Sequence, residues 1–254
     1  MKAITHTTIA ALRRNASFTA AKAGDPAAAL AVVRAAVNAD KAALLARQHP
    51  DAVLLPVLAV ERTGINMLPL AFVEYVASLT GLPVERGIVQ TNRTNHTDAD
   101  AMHRLTHQPE FIGEPVPGGK YIVADDVITT GCTVNALRIH VEAFRGEVVA
   151  FTALAGSFSP LTGSSLTIDL TAETLNALET KFGLYPLGSL LRAYGIGYNA
   201  GCLTNAQARY ILAFRSLDAL RTRLAQANHG PSLAPTPPRL AIAAGGTQLT
   251  LALA

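Results

Sequence analysis

The stretch YIVADDVITTGCT, residues 121–133, places two kinds of chemistry within one turn of chain. Asp125 and Asp126 are adjacent carboxylates behind a short apolar run, and after two more apolar residues come Thr129, Thr130, Gly131, Cys132 and Thr133. Paired carboxylates accept hydrogen bonds from a vicinal diol. A Thr/Gly turn that opens a helix gathers free backbone N–H groups and hydroxyls at the helix's positive end, which suits a phosphate monoester. Gly131 in that turn lets the backbone approach a ligand with no side chain between them. A diol grip followed at once by a phosphate grip describes a ribose 5-phosphate site. Two acids in a solvated turn would be the bland alternative, but the full order of apolar run, Asp-Asp, apolar pair, Thr-Thr-Gly-x-Thr and helix is far more restrictive.

The elements around this stretch must present it at a sheet edge. Side chains alternate across a strand, so both acids reach one ligand only if the strand ends at them, and the pattern predicts a strand over 121–124. A helix over 133–144 and a strand over 147–155 follow. Upstream, the spacing predicts one helix over 25–48 with Pro26 in its first turn, a buried strand over 51–56, a helix over 66–79 and a strand over 85–90. Strands alternating with helices predict an α/β fold with a mostly parallel central sheet flanked by helices. Ligands of such sheets collect at the carboxyl ends of the strands.

Residues 91–119 interrupt the pattern with a polar connection that carries Arg93, His96, Arg104 and His107 and ends in Gly118-Gly119. A connection of this length is expected to be a lid or disordered. His96, His103 and His107 have no carboxylate or cysteine that completes a zinc set. Beyond Ser157 a Ser/Thr/Gly loop leads into helical stretches over 172–182, 187–194 and 205–227. The expected domains are therefore a core over 1–156, a helical C-terminal lobe over 157–228, and a Pro-rich linker and tail over 229–254.

The 254-residue chain is half hydrophobic and only 15% charged, with a formal net charge of +3 and a mean hydropathy of +0.28. Such a composition builds a core and excludes a disordered chain. Apolar runs such as 52–60 are short and broken by Pro56, which excludes a bilayer-spanning helix there. The two cysteines, Cys132 and Cys202, form no disulfide framework and no C-x-x-C pair, and a cytoplasmic location is expected. Lys2, Arg13, Arg14 and Lys22 all precede the first acid, Asp25. That slope favours an anionic ligand, and it also matches the composition of a transit peptide, although an ordinary N-terminal helix reads the same way. The basic stretch 207–224, with Arg209, Arg215, Arg221 and Arg223, reads as a solvated helix face before it reads as a nucleic-acid surface.

The thirteen residues 121–133 resemble the signature of type I phosphoribosyltransferases, enzymes that use 5-phosphoribosyl 1-pyrophosphate (PRPP), and the resemblance extends over roughly 51–156. It implies that Asp125 and Asp126 hold the ribose hydroxyls and that Thr129, Thr130, Gly131, Cys132 and Thr133 hold the 5-phosphate. It also implies a pyrophosphate loop after the first core strand, where Arg62, Thr63 and Gly64 stand, with Arg62 alongside the two acids in catalysis. The implied chemistry is Mg²⁺-dependent displacement at ribose C1, with the metal bound mainly through PRPP, a small-molecule nucleobase-like acceptor, pyrophosphate release and a homodimer. No membrane partner is expected. Arg93, His96, Arg104 and His107 read first as solvated loop residues and otherwise as groups that reach pyrophosphate when the segment closes, and Tyr185, Tyr194, Tyr198 and Asn199 read first as a helix packing corner and otherwise as part of a hood over the base. Thr129 stands where 6-oxopurine enzymes carry Asp, and residues 91–119 lack the lysines of orotate enzymes. The pattern looks most like the ComF-type branch, although Thr63 interrupts its Arg-Gly element and its upstream zinc cysteines are absent. A regulator that senses PRPP without catalysis is the alternative.

Overall fold

In a computed structural model, residues 1–61, 64–92, 101–156, 167–197 and 199–228 are described. From the N-terminus the elements are β1 (Ala3–Thr8), α1 (Ile9–Arg13), α2 (Phe18–Lys22), α3 (Pro26–Ala36), α4 (Ala39–Gln48) and β2 (Val53–Pro56). A hairpin of β3 (Val60–Glu61) and β4 (Gly64–Ile65) leads into α5 (Leu68–Thr80) and β5 (Val89–Gln90). Next come α6 (Ala101–Thr106), β6 (Phe111–Ile112), β7 (Lys120–Ile128), α7 (Cys132–Ala143) and β8 (Glu147–Gly156). The C-terminal helices are α8 (Ala172–Phe182), α9 (Leu184–Ala193), α10 (Asn205–Leu212) and α11 (Leu217–Asn228), with a 3-10 turn at Ala200–Cys202.

The central sheet has the order β1-β8-β7-β2, and every pairing in it is parallel. The expected α/β architecture with a parallel sheet is therefore present. β7 lies inside the sheet and is apolar at nearly every position up to Ala124, as a strand covered on both faces must be. Its even side chains, Ile122 and Ala124, join Leu54, Leu68, Phe72 and Val76 in one core layer. Its odd ones, Tyr121 and Val123, join Val134, Leu137, Val141 and Phe151 in the other. A third buried cluster gathers the C-terminal helices with Met102 and Leu105 of α6.

Several elements depart from the sequence expectation. The helix expected over 25–48 is two helices. Asp25 accepts from Ala28 N to start α3, and Asn38 accepts from Lys41 N to start α4. A second N-cap inside one apolar pattern breaks it, because the Asn side chain takes an amide that the helix would otherwise leave unpaired. Only Val89 and Gln90 of the strand expected over 85–90 form one, and they pair with β6 in a hairpin apart from the main sheet. The last helical stretch is likewise divided between α10 and α11. The N-terminal residues read as helical or transit-like instead begin as β1, an edge strand paired with β8. Of the connection expected over 91–119, residues 93–100 lie outside the described residues, and the remainder includes α6 and β6. The expected loop after Ser157 up to residue 166 and the tail from 229 lie outside the described residues.

Candidate functional site

The strand that carries the two acids runs on to Ile128. The expectation that it stops at Ala124 is thus corrected. Asp125 and Asp126 obey the alternation of a continuing strand and turn to opposite faces of the sheet, Asp126 toward the α2 and α5 side. The reason is register: β7 keeps pairing with β8 through Asp125↔Ala153 and Ile128↔Gly156. Backbone pairing there outweighs the strand-breaking tendency of Asp.

Both acids are buried, Asp125 at 9% and Asp126 at 4% relative exposure. Asp125 Oδ1 accepts from Asp126 N at 2.8 Å. Asp126 Oδ1 accepts from Val127 N at 2.8 Å, and its Oδ2 lies 3.2 Å from Asn66 Nδ2 and 3.1 Å from Lys22 Nζ. Burial pushes the Asp125 carboxyl well above the usual range, and the neighbouring Asp126 charge pushes it further, against the pull of Lys22. A carboxyl that keeps its proton can donate to a hydroxyl as well as accept from one.

The turn after β7 is built as a cradle and roofed by the C-terminal helices. Gly131 takes φ 77°, ψ 6° as the N-cap of α7, and no side chain caps that helix end. The first amides of α7 therefore have no partner from within the helix or from a cap. Thr129 is exposed, Thr130 and Thr133 are half-buried, and Cys132 is buried with its Sγ 3.1 Å from Thr130 Oγ1. Burial pushes the Cys132 thiol up, which disfavours thiolate chemistry. A Cβ on Gly131 would lie 2.6 Å from Ile168 Cδ1 and 3.7 Å from Thr204 Cγ2. Ile168 is held there because its carbonyl accepts from Asn205 N at 2.9 Å. Thr204 starts α10 through a reciprocal capping box with Gln207.

Beside this roof a cavity of about 40 Å³ is lined by Arg104, Thr130, Cys132, Gln207 and Tyr210, among others. Arg104 Nε is buried with no hydrogen-bond partner. Arg104 thus stands at the threonine turn, while His107 stacks on His103 at 3.9 Å between ring centroids and lines a separate open groove with Asn92 and Tyr194. Arg93 and His96 lie outside the described residues, as do Arg62, Thr63 and Tyr198. Gly64 is in β4, the second strand of the hairpin.

Of the expected hood residues, Tyr185 is 81% exposed. Tyr194 lies against the Arg221 carbonyl, and Asn199 caps the 3-10 turn. Neither lines the threonine-turn cavity; Tyr210 does.

Sequence reasoning missed Lys22 and Asn66 as neighbours of Asp126. The acid-free N-terminal slope pointed toward Lys22, and Asn66 closes the RTGIN run. Only folding brings them within reach, across 60 residues for Asn66.

No family model matches the chain. It is 33% identical over 232 residues to Protein TraN of Escherichia coli, covering 90% of this chain and 50% of that protein. It is 38% identical over 91 residues to an uncharacterized protein of Haemophilus influenzae, covering 35% of this chain and 20% of that one. The chain spans about half the length of the first relative and about a fifth of the second. Among solved structures it is similar to an adenine phosphoribosyltransferase, with TM-score 0.32 and 16% identity over 52% of this chain and 72% of that one. It is also similar to Leishmania donovani UMP synthase, with TM-score 0.33 and 17% identity over 72% of this chain and 33% of that one. At those TM-scores neither likeness carries an argument. No helix among the described residues is long and apolar enough to cross a membrane.

Proposed function

We propose that the chain binds PRPP and transfers its 5-phosphoribosyl group to a nucleobase-like acceptor, with release of pyrophosphate. One observation carries this reading: the carboxyl end of β7 delivers two buried acids and, five residues after Asp126, a left-handed glycine that opens an uncapped helix N-terminus. Asp126 would accept from a ribose hydroxyl, while Asp125, on the opposite face of the sheet, would act on the sugar indirectly, through its hydrogen bond from Asp126 N. Thr129, Thr130 and the first amides of α7 would take the 5-phosphate. The hairpin β3–β4, joined to Asp126 through Asn66, supports placing the pyrophosphate contacts at Arg62, Thr63 and Gly64.

In this mechanism the chain positions the sugar and stabilises charge as the bond from C1 to pyrophosphate breaks. An acid beneath the ring favours the developing cation. Among the described residues no group of three or more His, Cys, Asp or Glu side chains could hold a metal ion. In this reading Mg²⁺ is held mainly through the oxygens of PRPP. Mg²⁺ bound in that way would neutralise the leaving group. A cytoplasmic homodimer belongs to the same reading.

A second reading, a sensor that binds PRPP without turning it over, is favoured by how closed the site is. Asp126 is already engaged by Lys22 and Asn66, and Ile168 with Thr204 covers Gly131. Calorimetric titration with PRPP, with and without Mg²⁺, tests the site they share. Wild type should bind, and the Asp125→Asn/Asp126→Asn double variant should not; equal binding by both would refute the assignment. Pyrophosphate release across a panel of nucleobases then separates the two, because a sensor binds and releases none.

A further inference from the structure

Lys22 stands in the last turn of α2 and places its ammonium 3.1 Å from Asp126 Oδ2, with 26% of its side chain still exposed. The floor under it is fixed. Ala21 is fully buried, and its carbonyl accepts from Met67 N at 3.3 Å. Two residues past Lys22, Gly24 turns at φ +109° against the Ile65 carbonyl, which a Cβ there would meet at 3.4 Å. The N-terminal segment is thereby locked to the end of the β3–β4 hairpin and the start of α5.

The groups around Asp126 differ in their freedom to move. Val127 N is part of the strand. Asn66 is 4% exposed, and its Oδ1 accepts from Leu68 N at 3.2 Å, so displacing it would also undo the start of α5. Lys22 has a flexible four-carbon stem, a route to solvent, and a charge that a polyphosphate attracts more strongly than one carboxylate does. A sugar hydroxyl arriving at Asp126 Oδ2 therefore meets one partner able to yield. Resting on the PRPP reading above, we propose that Lys22 is an exchanging ligand. In the free protein it neutralises Asp126; when the ribose hydroxyl takes its place, the ammonium moves onto the anionic oxygens of the 1-pyrophosphate. Lys22 then discriminates PRPP from sugar phosphates that lack the pyrophosphate.

The test compares PRPP with ribose 5-phosphate by calorimetry, on the full chain as wild type, Lys22→Met and Lys22→Arg. Lys22→Met should weaken PRPP by about tenfold, equivalent to about 1.4 kcal/mol. Ribose 5-phosphate should bind as well as before or more tightly, since its competitor for Asp126 is gone. Lys22→Arg, which keeps the charge and reach, should restore most of the preference for PRPP. Equal weakening of both ligands by Lys22→Met would mean that Lys22 only holds Asp126, and would overturn the proposal. No change in either ligand would overturn it as well. If wild type binds neither ligand, the PRPP reading itself fails and this proposal with it. If wild type binds both and the ratio does not respond to Lys22→Met, only the role of Lys22 fails. Far-UV circular dichroism and urea unfolding of the variants separate loss of binding from loss of fold.

Discussion

Replacing Gly131 with Ala tests how tightly the C-terminal helices close on the threonine turn. Gly131 occupies φ 77°, and forcing an L-residue into that left-handed region costs about 1–2 kcal/mol. The new Cβ would also sit 2.6 Å from Ile168 Cδ1, inside any normal contact distance. Overpacking of that kind costs about 1–3 kcal/mol, so Gly131→Ala should destabilise the chain by about 2–5 kcal/mol. Ile168→Val removes the offending methyl and alone costs about 1 kcal/mol, because Ile168 is fully buried. In the double variant the backbone strain and the lost methyl remain but the collision does not. Its cost should be about 2–3 kcal/mol, at least 1 kcal/mol less than the sum of the singles. Urea unfolding of the four proteins measures the cycle. Additivity within about 0.5 kcal/mol would refute the inferred contact between Gly131 and Ile168. PRPP affinity should fall in Gly131→Ala and stay low in the double variant, because the Cβ still stands in the cradle.

Other outcomes follow from the buried polar groups. Burial and the nearby Lys41 lower the His6 pKa to about 4. The unfolded chain, titrating near 6.5, then binds more protons than the native one between those values, so stability falls by about 3 kcal/mol as the pH drops from 7 to 4. His6→Gln should flatten that dependence, and an imidazole that titrates near 6.5 in the folded protein by NMR would contradict it. Asp125 has the opposite sign: its raised carboxyl favours the native state below the unfolded value of 3.8, and that contribution is lost as the pH rises through the folded value. Asp125→Asn should therefore raise stability at pH 7 while weakening PRPP binding, a trade common at functional sites; a less stable variant in urea unfolding would count against it. Asn66→Ala removes both the amide that reaches Asp126 and the oxygen that caps Leu68, and should cost about 2–4 kcal/mol in the same assay. A loss below about 1 kcal/mol would show that neither contact matters to the fold.

Apolar patterning was enough to place β2, β7, α7 and β8 within a few residues, because a strand buried on both faces and the helix that covers it must be apolar at periods the chain displays. The Thr-Thr-Gly-Cys-Thr turn was legible for the same reason: a left-handed glycine before a helix is a local requirement. Local signals also misled, as when the Ala-rich run over 25–48 masked the cap at Asn38. Whether β7 would stop at its two acids depended on β8, which continues to offer pairing partners as far as Gly156. Nothing in residues 121–133 encodes that.

The sequence by itself determined the chemistry available at the junction: two carboxylates, three hydroxyls and a helix start, in an order set by covalent spacing. Tertiary structure alone decided the company those groups keep. Lys22 and Asn66 meet Asp126, and Ile168 and Thr204 close over Gly131, through contacts between segments distant in the chain, where the energy of packing depends on the whole sheet and leaves no periodic trace in any one segment.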